Sequence, residues 1–455
     1  MKRRDFLMMS AAVAGLGACG QTSVADAPVE AAPEVAAAPP VDPDALTVEE
    51  LEETALLEIE ELAALGITEI ETVLAEGTKF STKSVLTPNS MSTAFPVPPL
   101  TDELRAAFAA RKYWDVPTPD RPVPVWPALN KAPDYIHLAG YALAAPEFTL
   151  SSDLLARLAE RNAFAINAAG PVVVFGLRGC RMVTGGEEAG WASEHAVVVE
   201  TPTHLAPKCL VGLWRPADGQ IALFRSSTVP AAHNMYASLA EQGNGTSLLP
   251  TGLYQYMRGD HKASKPKSIQ RGALRMNDSY AVLRTAAELT YDPFLPTTAW
   301  TRGAAHNIHA AGLSDIFDSA GCQVVHGTYI KPERLKTKGA WDAFRRFAGT
   351  VDETGAAPPA TAQKNYQYML LTGLEAALAY HGGADFEAGY SPLRFGSSGQ
   401  KVADLQAQLI TNHGSAVKGL PANGTFDMLT SFGVLLENKF LVNEYTTPVF
   451  VAQPV

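Results

Sequence analysis

The chain has 455 residues, is 47% hydrophobic and 18% charged, and carries a formal net charge of −11 at pH 7. That length leaves room for two or three domains, and the apolar share supports real cores. The acidic balance argues against nucleic-acid binding.

Met1-Lys2-Arg3-Arg4 opens the chain with positive charge, an apolar run follows to Leu16, and small residues precede Cys19. This is the pattern of an export signal. The apolar run is shorter than the ~20 residues a membrane-spanning helix needs. Arg3-Arg4-Asp5-Phe6-Leu7 resembles a twin-arginine signal, and Leu16-Gly17-Ala18-Cys19 resembles a lipobox. The resemblance implies a signal over residues 1–19, lipidation of Cys19 and anchoring to a membrane in the periplasm or cell envelope. By the same resemblance, Gly20 in place of Asp implies the outer membrane. Residues 20–45, rich in Ala, Pro, Val and Glu, read as a flexible tether.

Residues 46–165 read as helical and Pro-rich. A helix is predicted over 46–75, with Thr47-Val48-Glu49-Glu50 as its capping box. Ten prolines between residues 86 and 135 make that stretch irregular. Short helices are predicted over 101–111 and 151–163. From Gly170 the texture becomes β. Strands are predicted over Pro171–Leu177, Glu194–Glu200, Lys208–Trp214 and Gln220–Ser226, the last two joined by a turn ending Asp218-Gly219. A further strand follows Pro250-Thr251-Gly252, an amphipathic helix covers 339–348, and Asn365–Thr372 is a closing strand.

The chemistry-bearing segment lies between these last elements. It reads His306-Asn307-Ile308-His309-Ala310-Ala311-Gly312, a polar loop, then Ser319-Ala320-Gly321-Cys322-Gln323-Val324-Val325. A thiol with a pKa near 8.5 needs a neighbouring base to react near neutral pH, and a histidine supplies one. Small residues before the thiol let backbone N–H groups near Gly321 and Cys322 approach a developing oxyanion. Cys322 is the candidate nucleophile and His309 its base. Ser319 sets the turn or orients His309, while His306 and His326 stand as supporting candidates. Two other readings apply to the same residues: a structural cysteine, or a zinc site of His306, His309, Cys322 and His326. In a strand, residues three apart face opposite ways, which separates His306 from His309. No metal or other cofactor is expected. The sequence leaves open whether Cys180 and Cys209 pair; a pair would leave Cys322 as a free thiol.

The order of histidine, loop and S-x-G-C turn resembles the L,D-transpeptidase (YkuD-like) family, with His309, Ser319, Gly321 and Cys322 on its motif. Ala310, Ala320 and Val324 stand where that family usually carries Gly, His and Arg or Asn. The hairpin, the Pro250-Thr251-Gly252 strand, the histidine strand and the cysteine turn follow the family's order. Leu393-Arg394-Phe395-Gly396-Ser397-Ser398-Gly399, with Val402, Leu405-Gln406 and Leu409, resembles the peptidoglycan-binding domain 1 family, as do Gly424-Thr425-Phe426-Asp427 and Thr430.

These resemblances imply a multidomain α+β protein. Its parts are a β-rich L,D-transpeptidase-like domain over 166–380, a helical N-terminal region and a small three-helix module over 386–455. They imply an exported enzyme that acts on peptidoglycan stem peptides by cysteine acyl transfer. The alternatives are a non-catalytic peptidoglycan-binding lipoprotein and a cysteine peptidase or amidase of the cell wall. The expected partners are peptidoglycan and, through Cys19, a membrane.

Overall fold

The computed structural model describes residues 124–451, apart from residues 233, 236–245, 264–268, 287, 296–297, 304–305, 313–316, 332–333, 383–385, 387–389, 418 and 443–446. The export signal, Cys19, the tether and the predicted helices over 46–75 and 101–111 lie outside the described residues.

In chain order the first strands are β1 (Glu147–Ser151), β2 (Val173–Arg178), β3 (Cys180–Met182), β4 (Glu188–Ala192), β5 (Glu194–Val199), β6 (Cys209–Arg215), β7 (Gln220–Ser227), β8 (Ser247–Leu248) and β9 (Gly252–His261). They are followed by β10 (Gln270–Met276), β11 (Ala281–Arg284), β12 (Ala299–Arg302), β13 (Ile308–Ala310), β14 (Gln323–Val325), β15 (Thr328–Tyr329), β16 (Thr337–Lys338) and β17 (Asn365–Thr372). The helices are α1 (Ser152–Arg161), α2 (Ala340–Ala348), α3 (Gly373–His381), α4 (Gln400–His413) and α5 (Met428–Val442).

Eight strands close into a barrel in the order β14-β13-β10-β9-β17-β2-β6-β7, because β14 also pairs with β7. The chain is therefore of mixed α+β class, with a closed β-barrel as its centre. Most neighbours are antiparallel, but β13 and β14 run parallel, with Ile308 opposite Gln323 and His309 opposite Val324. Side-chain alternation sorts residues to the two sides of the wall. Val174, Leu213, Phe224, Tyr254, Tyr256, Leu274, Ile308, Val325 and Tyr368 fill the inside. Val173, Phe175, Leu177, Leu210 and Leu223 pack outside with Leu154, Leu155 and Leu158 of α1 and Ala376 and Ala377 of α3. Each fully buried Leu or Phe in these layers stabilises the fold by about 1.5–3 kcal/mol.

Local signals explain the flanking helices. Ser151 caps α1 by accepting from the Leu154 N–H at 3.2 Å, and Thr372 caps α3 by accepting from Glu375 N–H at 3.0 Å. In the C-terminal unit Gln406 ties α4 to the next segment. Its amide nitrogen donates to Thr425 O at 2.9 Å and Thr430 Oγ1 at 3.0 Å, and its oxygen accepts from Gly424 N–H at 2.9 Å. The Leu-Gln pair and the Gly-x-Phe segment of the sequence motif are thus two halves of one bracket. Two α-helices and a short 3-10 helix, Gly414–Val417, occupy this unit among the described residues.

The C-terminal unit does not stand apart from the barrel. Val402, Leu405, Leu409, Phe426, Phe432 and Leu435 share one core with Leu248, Leu283, Trp300, Cys322 and Val324. Fully buried Arg394 donates to Thr251 Oγ1 at 2.7 Å and to Glu375 at 3.0 Å. Asp134 accepts from Thr251 N–H at 2.8 Å and pairs with buried Arg178. Removing one partner of such a pair leaves an uncompensated buried charge, at a cost of about 3–5 kcal/mol. One polar chain therefore links segments from Asp134 to Arg394 across the boundaries read from the sequence.

Cys180 and Cys209 form no disulfide: both are free and buried, as is Cys322. Cys180 Sγ lies 3.3 Å from Leu177 O, and Cys209 Sγ accepts from Thr228 Oγ1 at 3.3 Å.

Candidate functional site

The Ser319–Cys322 turn is held from three directions. Ser319 Oγ accepts the Gly321 N–H at 3.1 Å and donates to Cys322 O at 2.6 Å, closing the turn on itself. From inside the barrel, Tyr368 donates to Gln323 Oε1 at 3.2 Å, and Gln323 Nε2 donates to Gly321 O at 3.1 Å. From β8, Ser247 N–H donates to Ala320 O at 3.0 Å. Ser319 is thus a turn brace. The Gly321 N–H, expected to help hold an oxyanion, is engaged by Ser319 instead.

Alternation along β14 places Gln323 and Val325 inside the barrel and Cys322 and Val324 in the core outside it. On β13, Ile308 and Ala310 point inward, so His309 turns to the outer side that carries Cys322. His309 Nδ1 is 2.9 Å from Ala310 O. A carbonyl only accepts, so Nδ1 carries the proton and Nε2 keeps its lone pair. Burial pulls the His309 pKa down to about 4; the Ala310 carbonyl and Asp318, next to the turn, oppose that shift, while Lys262 adds to it. The ring is therefore neutral at pH 7. It stacks on His261, with centroids 4.4 Å apart and planes 3° apart. Burial lowers the His261 pKa, and His309 lowers it further, because two stacked cations repel. Asn307 sets the His261 ring: its amide nitrogen lies 3.1 Å from His261 Nδ1, and its oxygen accepts the Met276 N–H at 3.0 Å.

His306 lies against the turn itself. A Cβ on Gly321 would stand only 2.6 Å from His306 Nε2, so glycine is required for the ring to lie against the turn. Tyr280 Oη accepts the His306 N–H at 3.1 Å and lies 2.6 Å from His306 Nδ1. The hydroxyl both donates and accepts, so this contact holds the ring in place, with Nε2 against Gly321. Tyr256 donates to His306 O at 2.5 Å and fixes the backbone. His306 thus lies against the turn itself, whereas His309 stacks on His261 beside Val324.

The structure gives His326 to another contact, with its Nδ1 2.6 Å from the Glu187 carboxylate. Among the described residues no three or more His, Cys, Asp or Glu side chains gather as a metal-ligand set. A cleft of about 290 Å³ lies beside Arg181, Lys208 and Cys209, away from the Cys322 turn. His261, Asn307, Tyr280 and Gln323 are the residues that sequence reasoning missed. Gln323 adjoins the cysteine and Asn307 lies between the histidines, so their polarity on short apolar strands was the available signal.

The chain matches no family model, no curated protein and no solved structure.

Proposed function

We propose that this protein is a cysteine acyltransferase of the L,D-transpeptidase type, acting on peptide stems of peptidoglycan. The observation that carries the reading is the pinned tautomer of His309, which keeps an Nε2 lone pair on the side of the wall that bears Cys322. As the chemistry runs, His309 Nε2 takes the Cys322 proton while sulfur bonds to the substrate carbonyl carbon. The C–N bond then breaks, the same proton passes to the departing amine, and a thioester remains. A second amine or water attacks the thioester and restores the thiol. With a His309 pKa of about 4, the resting pair is a thiol and a neutral imidazole, so proton transfer accompanies attack rather than preceding it. The oxyanion falls to the Nε2–H of His306, since the Gly321 N–H is engaged. The export signal read over residues 1–19 would bring the chain to the polymer.

The burial of Cys322, at 4% exposure, favours the competing reading of a non-catalytic wall-binding protein. One experiment separates the two. Muropeptides incubated with the purified full chain are expected to gain new cross-linked or shortened species by mass spectrometry, and the Cys322→Ala protein is expected to yield none. An unchanged muropeptide profile with the wild-type chain, or the same products from Cys322→Ala, sinks the enzyme reading.

A further inference from the structure

The cleft of about 290 Å³ beside Cys209 is cationic at its rim and apolar on its wall. Arg181 of β3, Lys208 just before β6 and Arg225 of β7 bring three cations to it, on a chain whose formal net charge is −11. Two carboxylates answer them. Glu187 takes Arg225, whose Nη1 donates to Glu187 Oε1 at 2.9 Å. Glu200 is shared. Arg181 Nε donates to Glu200 Oε1 at 2.7 Å, whereas Lys208 Nζ stands 3.9 Å from Glu200 Oε2, too far for a hydrogen bond. Among these side chains, three cations against two carboxylates leave one positive charge at the cleft. The Arg181 and Lys208 side chains are 50% and 46% exposed, so both can meet a ligand. Arg181 Nη1 also donates to Met182 O at 3.2 Å, which fixes one edge of the guanidinium. Met182, Ala206 and Leu210 supply the apolar wall.

We propose that this cleft binds a small organic monoanion, a carboxylate carried on a short apolar body. The site is separate from the Cys322 turn, and the inference stands without the acyl-transfer reading. One unanswered positive charge suits a monoanion better than a more highly charged ligand. A guanidinium and an ammonium give carboxylate oxygens charge-assisted hydrogen bonds, which are stronger than neutral ones. The wall favours an alkyl body by taking its surface out of water. At about 290 Å³ the cleft stands at the small end of the ~300–1,000 Å³ that small-molecule sites occupy, which suits a short ligand.

The test adds butyrate, its neutral counterpart butyramide, or inorganic phosphate to the full chain, with isotope-labelled methionine methyls read by NMR. Met182 lies on the wall, and its methyl is identified as the signal lost in Met182→Leu. That methyl is expected to shift saturably with butyrate. Butyramide is expected to bind about tenfold more weakly, the worth of one charge-assisted hydrogen bond. Lys208→Gln and Arg181→Gln are each expected to weaken butyrate binding by about tenfold, and Ala206→Phe to abolish the shift by filling the cleft. No saturable shift at Met182, equal binding of butyrate and butyramide, or butyrate binding unchanged in either charge variant overturns the proposal. So does a butyrate shift that persists in Ala206→Phe. Tighter binding of phosphate than of butyrate at the same methyl overturns the carboxylate class. Should a variant not fold, the wild-type comparison of butyrate with butyramide at Met182 decides alone.

Discussion

His306 and His309 lie three residues apart and are both buried, yet their rings meet different neighbours. A backbone carbonyl at His309 Nδ1 forces the proton there and leaves a lone pair on Nε2. A tyrosine hydroxyl, which can donate or accept, faces His306 Nδ1, and Nε2 lies against Gly321. Under the proposed acyl transfer, His309 serves as the base and His306 as the oxyanion donor.

The comparison breaks most readily at the two rings themselves. His309→Ala is expected to slow acyl transfer by about 10²–10⁴, the usual worth of a general base, and to slow alkylation of Cys322 by iodoacetamide as well. His306→Ala is expected to slow acyl transfer by about 10²–10³, as loss of an oxyanion donor does. Alkylation forms no oxyanion, so iodoacetamide labelling should stay within a few-fold of wild type in His306→Ala. The opposite pattern would exchange the two roles, and equal effects of both variants on both reactions would remove the distinction.

A smaller effect sharpens the contrast through pH. The His309 pKa falls from 6.5 in the unfolded chain to about 4 in the folded one. The unfolded state then binds more protons between these values, so the His309 contribution is fully present above pH 6.5 and is lost as pH falls through about 4. Its size is about 3 kcal/mol. In urea unfolding the wild-type chain should lose more stability between pH 7 and pH 4 than His309→Gln does. Parallel curves for the two proteins would show that the ring is not held neutral. Smallest of all, Tyr280→Phe should cost about tenfold in acyl transfer, near the worth of one buried hydrogen bond. It should spare alkylation; a loss of labelling equal to the loss of turnover would place Tyr280 in the thiol's own support.

Much of the barrel was legible because its strands carry local signals. The predicted closing strand over Asn365–Thr372 coincides with β17, and the hairpin around Asp218-Gly219 appears as β6 and β7 within a residue of its expected ends. The helix at Ala340–Ala348 and the face of Val402, Leu405 and Leu409 were read from 3.6-residue spacing. β3 at Cys180–Met182, β11 at Ala281–Arg284 and β12 at Ala299–Arg302 were not, since three or four residues are too few to show a period. The Ser319–Cys322 turn was legible for another reason: Ser, Gly and Cys sit within four residues. Its surroundings were not. Tyr280 reaches His306 across 26 residues, Asn307 reaches His261 across 46 and Arg284 reaches Ser247 across 37. Only barrel closure brings these pairs together, and no local pattern encodes closure. The boundary drawn before residue 386 followed a real helix end at His381, but packing continues across it.

That continuity bears on how the molecule is made. A ribosome delivers Cys322 and Val324 well before Val402, Leu405, Phe432 and Leu435, the residues that complete their core. During synthesis the β14 strand therefore emerges with one apolar flank uncovered, a state in which exposed strands aggregate or recruit chaperones. A nascent chain paused before α4 would hold its thiol in a half-built wall, and only the arrival of α4 and α5 seals it.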